Sequence, residues 1–261
     1  MRLHLFVFAI ALSAGNAAAH DTWLLPAKFR VPAPGEIVAE GTSAMHFPTP
    51  EVAMHEDRIA RSGVRLAGKT TALETGDATS AVLRFRARPA TSGVAVLWVE
   101  SRPRTLDLKD AEVEEYLKEI GAWETAGAEW KRAGRKPWRE TYVKFSKSHV
   151  SVGTAERDRS WSEPVGLGLE IVPETDPTAL RVGDEVRLRV LRNGAPLAEQ
   201  AVGAQPAGRQ TGLRRTDANG RVTLRADRAG FWLVKVTSIR PAPREGEWES
   251  QFATLTFDVS K

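Results

Sequence analysis

Six side chains downstream of residue 19 belong to residue types that bind late transition metals, and four of them form two adjacent pairs. The pairs are Met45-His46 and Met54-His55, nine residues apart in a loop-like stretch from 41 to 57. A thioether beside an imidazole suits copper, because soft sulfur favours Cu(I) and nitrogen binds either oxidation state. Methionine also fills gaps in hydrophobic cores, so core packing is the alternative interpretation of each methionine.

The fifth candidate, His20, follows a segment with the pattern of an export signal. Arg2 is followed by the apolar run Leu5 to Leu12 and then by the small residues Ala17-Ala18-Ala19. This is the order of a charged start, a hydrophobic core and an A-x-A cleavage site. We predict cleavage after Ala19 and a periplasmic or secreted mature chain that begins at His20. The apolar run is shorter than the about 20 residues that span a bilayer, so a retained anchor is not expected.

Cleavage at that point gives His20 two nitrogen donors, an α-amine and an imidazole, that can close a chelate ring on one ion. Such a chelate suits Cu(II), Ni(II) or Co(II). Both nitrogens must be neutral, so the metal affinity is expected to fall as the pH drops toward and below the imidazole pKa. We predict His20 as the principal ligand, with His46, His55, Met45 and Met54 as further candidates. The alternative is that an exposed N-terminal histidine binds nothing.

His149 is the sixth candidate and lies in a predicted strand from 139 to 152. A lone histidine in a strand is more often structural than metal-binding, and both interpretations stay open here. Ligand histidines also need acceptors that fix their tautomer. Asp21, Glu56 and Asp57 are close in sequence to the other candidates and are predicted to serve in this way.

Composition excludes several classes of function. The chain has no cysteine, which rules out thiolate metal sites, cysteine nucleophiles and lipoprotein attachment. Removing Arg2 with the signal leaves 36 basic residues against 33 acidic ones, with no long run of like charge, so no nucleic-acid partner is predicted. The phosphate-binding glycine loop, the G-x-S-x-G elbow and the H-E-x-x-H zinc motif are missing, so common nucleotide enzymes and hydrolases lack support.

The strand pattern predicts a mainly β protein with two β-sandwich domains. We assign residues 1–19 to the signal peptide, 20–165 to an N-terminal β domain and 166–261 to a C-terminal sandwich of immunoglobulin-like or transthyretin-like type. About seven short strands separated by turn residues, with a hairpin predicted at Asn193-Gly194, support the second assignment. That half contains no histidine or methionine, so we expect it to act as scaffold or partner contact.

Helical spacing interrupts the strand pattern of the N-terminal half. Apolar residues recur with the period of a helix between 106 and 120, where Asp107 or Asp110 can cap the start and Gly121 can end it. A second polar helix is predicted from about 123 to 133. The N-terminal domain is therefore expected to carry a helical insertion near 107–133.

Motifs along nearly the whole mature chain resemble one known family. They are His20 to Leu24, the acidic helix around Tyr116, Tyr142 to Gly153, Ile171 to Pro177, Thr216 to Arg221, Gly230 to Trp232, and Trp248 to Phe257. The chain is similar to exported bacterial proteins of unknown function that are grouped with periplasmic components of cobalt and nickel uptake systems (NikM-like). The resemblance implies a periplasmic protein that handles a transition metal through His20. Members often carry glycine-histidine in the loop that reads Ala44-Met45-His46 here, so His46 departs from that pattern.

Three functions are compatible with these patterns. The first is binding of nickel, cobalt or copper for delivery or sequestration, without catalysis, by His20 and the loop residues; transport would then need a separate membrane partner, because no transmembrane segment is predicted in the mature chain. The second is an interaction module that docks to a transporter or envelope assembly. The third is a copper-brace oxidative enzyme acting on polysaccharides, which needs a second brace histidine and a flat aromatic surface.

Overall fold

The computed structural model describes residues 20–154 and 158–261. The predicted signal peptide, residues 1–19, lies outside the described residues. The described residues form nineteen strands, which in chain order are β1 (Asp21–Pro26), β2 (Arg30–Val31), β3 (Ile37–Ala44), β4 (Val52–Ala53), β5 (Ile59–Leu66), β6 (Lys69–Thr71), β7 (Glu74–Ala78), β8 (Leu83–Ala87), β9 (Gly93–Ser101), β10 (Arg104–Leu108), β11 (Trp138–Val152), β12 (Leu169–Pro173), β13 (Glu185–Arg192), β14 (Ala195–Pro196), β15 (Ala201–Pro206), β16 (Arg214–Arg215), β17 (Arg221–Arg225), β18 (Gly230–Pro241) and β19 (Glu247–Val259). The predicted mainly β fold is confirmed.

The strands form one large central sheet and two smaller sheets. The central sheet has the order β16-β15-β18-β19-β11-β9-β5-β6, with β2 and β10 also paired to β11. The first small sheet has the order β1-β3-β8-β7, and β4 pairs with β3; the second contains β12, β13, β14 and β17. β11 and β19 are parallel neighbours along most of their length. Strands from both predicted halves therefore share the central sheet, and the division at 165/166 stays a prediction.

Each small sheet covers one part of the central sheet and encloses a hydrophobic core. Ile37 and Phe85 of the first small sheet pack with Leu97 of the central sheet, whereas Leu188 of the second packs with Phe257. The alternation in the sequence of β8 explains this arrangement, because Leu83 and Phe85 are buried while Arg84 and Arg86 face outward. Period-two alternation of this kind places one strand face on a core and the other in solvent.

The helical insertion is present but begins later than the periodicity predicts. α1 spans Asp110–Glu119 and α2 spans Ala128–Arg132, with a π-helical turn over Trp123–Gly127 between them. Residues 104–108 are strand β10 instead, because they pair with the start of β11 and this tertiary pairing outweighs the helical spacing. The N-cap is Lys109, not Asp107 or Asp110, and its backbone N–H donates to the Glu112 carboxylate at 2.9 Å. Gly121, at φ +70°, ends α1 as predicted.

The loop predicted between residues 41 and 57 is more ordered than its sequence indicates. β3 continues to Ala44, β4 forms at Val52–Ala53, and a 3₁₀ turn covers Glu56–Arg58. The predicted hairpin at Asn193-Gly194 is confirmed, since both residues have positive φ and Arg192 pairs with Ala195. Within residues 20–154 and 158–261, no helix has the length and apolar character needed to cross a membrane.

Candidate functional site

A cavity of about 400 Å³ opens between the first small sheet and the central sheet. Its volume is in the range of small-molecule binding sites. Both sheets, the β4 segment and the 3₁₀ turn contribute to the walls; the lining residues are His20, Thr22, Ser43, Val52, Ala53, Met54, His55, Arg58, Ile59, Val99, Ser101, Arg104, Tyr142, Lys144 and Ser146. Three of the six predicted metal-binding residues, His20, Met54 and His55, are therefore brought to one cavity.

Strand β11 supplies the floor of this cavity through one of its two faces. Tyr142, Lys144 and Ser146 alternate along the strand and all three line the cavity. Side chains of a strand point to opposite faces in turn, so residues with odd numbers in this segment point away from it. Accordingly, Phe145 lies in the core beneath the second small sheet, and Lys147 forms an ion pair there.

His20 is held at the cavity by the strand that follows it and by Lys144. Asp21 begins the ladder between β1 and β3, and Lys144 Nζ donates to the His20 carbonyl oxygen at 2.8 Å and to Thr22 Oγ1 at 3.1 Å. On the other side of the chain, the Asp21 carboxylate pairs with Lys235 at 2.8 Å. These contacts fix the backbone position of the predicted mature N-terminus.

The carboxylate that faces His20 is Glu51, which the sequence did not single out. His20 Nε2 lies 3.4 Å from Glu51 Oε2, and Glu51 Oε1 accepts a hydrogen bond from the Met45 backbone N–H at 3.3 Å. A carboxylate at Nε2 favours the tautomer that carries the ring proton there, and in that tautomer Nδ1 bears the lone pair that a metal ion would need. Nδ1 is also the ring nitrogen that can chelate together with the residue's own α-amine. The one available signal was the place of Glu51 between the two Met-His pairs.

The three acidic residues that were predicted from sequence proximity make other contacts. Asp21 pairs with Lys235, as described, and Glu56 Oε1 accepts a hydrogen bond from Thr75 Oγ1 at 2.6 Å. Asp57 is exposed, and its backbone carbonyl accepts a hydrogen bond from Arg102. Proximity in sequence therefore did not identify the carboxylate that faces the histidine, because the loop folds back and brings Glu51 to it.

Met54 and His55 form part of the cavity wall in different ways. Met54 is half-buried and packs against the core of the first small sheet, and a Cβ added to Gly41 would lie 2.7 Å from its sulfur. This close approach shows that Met54 also fills a gap in the core. His55 is exposed, lines the cavity, and precedes the 3₁₀ turn, where its carbonyl oxygen accepts the Arg58 backbone N–H at 3.0 Å.

Met45, His46 and His149 do not line this cavity. Met45 and His46 are exposed at the loop tip, and Phe47 beside them is buried against Trp23. His149 is fully buried on the opposite face of β11, and within the described chain neither ring nitrogen has a hydrogen-bond partner of normal geometry. Burial, with smaller contributions from Lys147 and Arg65, lowers the pKa of His149 well below its ordinary value.

Side chains alone do not form a preassembled metal centre in the part of the chain that the structure describes. No group of three or more histidine, aspartate or glutamate side chains is suitably placed to hold an ion there. A metal site at His20 would therefore need the α-amine that signal cleavage would release. His55 and Met54 on the same cavity are the side chains available to complete it.

The electrostatics of the cavity are set by basic residues. Arg58, Arg104 and Lys144 all line it. Lys144 Nζ lies 5.7 Å from the ring centre of Tyr142 and 5.6 Å from that of Phe252. Enclosure between these rings removes water from the ammonium group, and this burial lowers the pKa of Lys144 to about 8 despite the opposing effect of Asp21.

Comparison with known protein families identifies the chain at the family level. The model of a domain of unknown function, DUF4198, matches residues 17–240. The chain belongs to the DUF4198 family. No curated protein matches it in sequence.

Solved structures share only a weak overall similarity with this DUF4198 protein. The D0–D1 domain of intimin is 13% identical, with 90% of this chain and 96% of that chain covered and a TM-score of 0.24. The adhesin InvE of Yersinia pseudotuberculosis is 13% identical, with coverages of 92% and 61% and a TM-score of 0.23. A DUF4785 family protein of Legionella pneumophila is 10% identical, with coverages of 82% and 52% and a TM-score of 0.26. Similarities at this level support no functional conclusion.

Proposed function

We propose that the mature DUF4198 protein is a periplasmic metal-binding protein that takes nickel, cobalt or copper through His20, for delivery or sequestration. The observation that supports this proposal is the contact between His20 Nε2 and Glu51 at 3.4 Å. Ligand histidines in metal sites almost always present their second ring nitrogen to such an acceptor. Export with cleavage after Ala19 is part of the proposal, because only cleavage frees the second nitrogen donor.

The donor set fits a late divalent ion better than a hard one. An α-amine and an imidazole from His20, with the imidazole of His55 and the thioether of Met54 on the same cavity, are ligands that copper, nickel and cobalt prefer over magnesium or calcium. Met54 is held by the core around Gly41. The ion is the cargo in this proposal. By analogy with the cobalt and nickel uptake components that the chain resembles, a separate membrane partner would receive it.

Binding is favoured over polymer oxidation by the shape of the site. A copper-brace enzyme acts on a polysaccharide surface and needs a flat aromatic platform, whereas His20 lies at a concave cavity between two sheets. Trp98 and Trp232 are buried in the described fold and are not available for such a platform. Their aromatic area stabilises the core instead.

The test is calorimetric titration of Cu(II), Ni(II) and Co(II) into chain beginning at His20 and into chain with one extra N-terminal residue. We expect stoichiometric binding by the first and a loss of at least about tenfold in affinity for the second, because extension removes the amine donor. His20→Ala should lose binding as well, whereas His46→Ala, at an exposed position away from the cavity, serves as the matched control. Equal affinity of the two N-terminal forms would contradict the proposal.

A further inference from the structure

Three basic side chains at the cavity form no close ion pair in the described chain, although Asp21 acts on Lys144 from a longer distance. Arg58, Arg104 and Lys144 line it, and within the described chain none of them forms an ion pair shorter than 4 Å. Aspartate and glutamate are missing from the described lining residues. Uncompensated charge beside a partly enclosed space is costly, and an anion that enters would relieve the repulsion between these groups.

The remaining wall is apolar and carries hydroxyl groups at its edge. Val52, Ala53, Ile59 and Val99 line the cavity beside Met54, and the Tyr142 ring closes the floor. The hydroxyls of Ser43 and Thr22 are 2.7 Å apart near the start of β1. Ser101 Oγ accepts the Lys144 backbone N–H at 2.8 Å, so its own hydrogen can be donated to a ligand.

We propose that this cavity binds a small organic carboxylate, with the carboxylate among Arg58, Arg104 and Lys144 and an apolar body against Val52, Ile59 and Val99. Arginine presents its N–H groups in a planar fork that matches a carboxylate, and charge-assisted hydrogen bonds of this type are stronger than neutral ones. The apolar wall disfavours a fully hydrated inorganic anion. This proposal goes beyond metal binding and does not depend on it, since the basic residues and the wall are present without any ion.

The experiment uses the mature, metal-free chain and a matched pair of probes, 2-naphthoate and its neutral isostere 2-naphthamide. Calorimetric titration at physiological salt should show binding of the carboxylate and at least about tenfold weaker binding of the amide. Arg104→Gln should weaken naphthoate binding by about tenfold, and Arg104 is exposed enough for this variant to keep its fold. Lys144→Met should have an equal or larger effect.

Two controls of the same chemistry are available on the surface. Lys69→Met on β6 and Arg214→Gln on β16 remove exposed basic residues that do not line the cavity. We expect both to bind naphthoate like the unchanged chain. The naphthoate titration uses metal-free chain and the metal titration uses no carboxylate, so the outcome of each proposal is independent of the other.

Any of four results would overturn the carboxylate proposal. Naphthoate and naphthamide could bind equally or both fail to bind, or the controls could lose affinity as much as Arg104→Gln does. Inorganic phosphate could also bind as tightly as naphthoate, which would remove the role of the apolar wall. Circular dichroism of each variant identifies loss of fold, and Arg104→Gln decides the outcome if Lys144→Met unfolds.

Discussion

Glu51 makes the two ring nitrogens of His20 chemically different, because it contacts only one of them. Its carboxylate faces Nε2 of the imidazole and is itself held by the Met45 backbone. Met45 thus contributes to the His20 site through its backbone N–H, although the sequence suggested its thioether. At this scale the site is one histidine, one carboxylate and the terminal amine that cleavage would release.

Replacing Glu51 by glutamine is expected to weaken metal binding by about 10- to 100-fold, the usual effect of losing a carboxylate that orients a ligand histidine. Glutamine keeps the shape of the side chain and can still accept from Met45, so thermal stability should change little. Calorimetric titration with Ni(II) and Cu(II) measures the effect. Glu56→Gln is the matched control in the same loop, and equal affinities of the two variants would show that Glu51 has no role.

His149 is expected to make the fold sensitive to acid. Its folded-state pKa is depressed by burial, so below an unfolded-state pKa of about 6.5 the unfolded chain binds the extra proton. The free energy of unfolding is therefore at its full value above that pH. Below it, His149 lowers the free energy of unfolding by up to about 1.4 kcal/mol per pH unit.

Urea unfolding between pH 7.5 and pH 5 measures this dependence, and His149→Leu isolates the contribution of the imidazole. Other titrating groups, such as Asp158 and Glu170, affect both proteins alike. The variant should show the flatter curve of unfolding free energy against pH. Parallel curves would mean that His149 does not carry the acid sensitivity.

At the scale of elements, β11 decides which candidate residues can meet. Its Tyr142, Lys144 and Ser146 face the cavity, whereas Lys147 and His149 are buried on the opposite face of the strand. The alternation is visible in the sequence, but the identity of each face is set by the sheet that packs on it. For this reason His149 and His20, both candidates from residue type, lie on opposite sides of the central sheet.

The helical insertion is attached to the central sheet by a buried carboxylate. Glu140 of β11 accepts hydrogen bonds from Tyr116 Oη and Trp138 Nε1, each at 2.9 Å, and from the Ser250 hydroxyl of β19. Burial raises the pKa of Glu140 in spite of these donors. The ring of Trp138 stacks on Trp248 at 4.5 Å beneath the same helix.

Tyr116→Phe should therefore destabilise the protein by about 1–3 kcal/mol, because it removes one hydrogen bond to a buried carboxylate. Tyr142→Phe is the matched control, since the described chain gives its hydroxyl no hydrogen-bond partner, and it should stay within about 0.5 kcal/mol. Chemical denaturation followed by tryptophan fluorescence measures both. A Tyr116→Phe protein as stable as the control would show that the contact contributes no net stability.

The whole molecule is organised by the parallel pairing of β11 with β19. This pairing places strands from both predicted domains in one sheet. Further contacts hold the segment that connects the two predicted domains. Lys147 of β11 pairs with Glu170 at 2.7 Å, and the same carboxylate accepts the backbone N–H groups of Val165, Gly166 and Leu167. Such a buried pair is strongly destabilising to break.

We expect the mature chain to unfold in a single calorimetric transition, because neither small sheet has a complete core without the shared sheet. A fragment ending at residue 165 lacks β19 and leaves β11 with an unpaired edge, so it should not fold cooperatively. Differential scanning calorimetry of the chain and of the fragment tests this. Two separate transitions, with a folded fragment, would instead support two independent domains with a boundary at 165/166.

The β class, the helical insertion, the Asn193-Gly194 hairpin and the choice of His20 as the leading candidate were all predictable from the sequence. These follow from local patterns, such as period-two alternation, helical spacing and turn residues, which depend on neighbouring positions alone. The start of α1 was misplaced because the pairing of β10 with β11 is not local.

The composition of the cavity could not be predicted in this way, because it depends on tertiary packing. Arg58, Arg104 and Lys144 line the cavity from different elements without a shared motif, and Glu51 faces His20 from the loop after β3. The proximity of these residues depends on how the first small sheet packs on the central one. The same packing brought Met54 and His55 to His20 and left His46 and His149 elsewhere. A sequence specifies residue types and strand faces, but which faces meet is fixed by long-range burial of apolar surface.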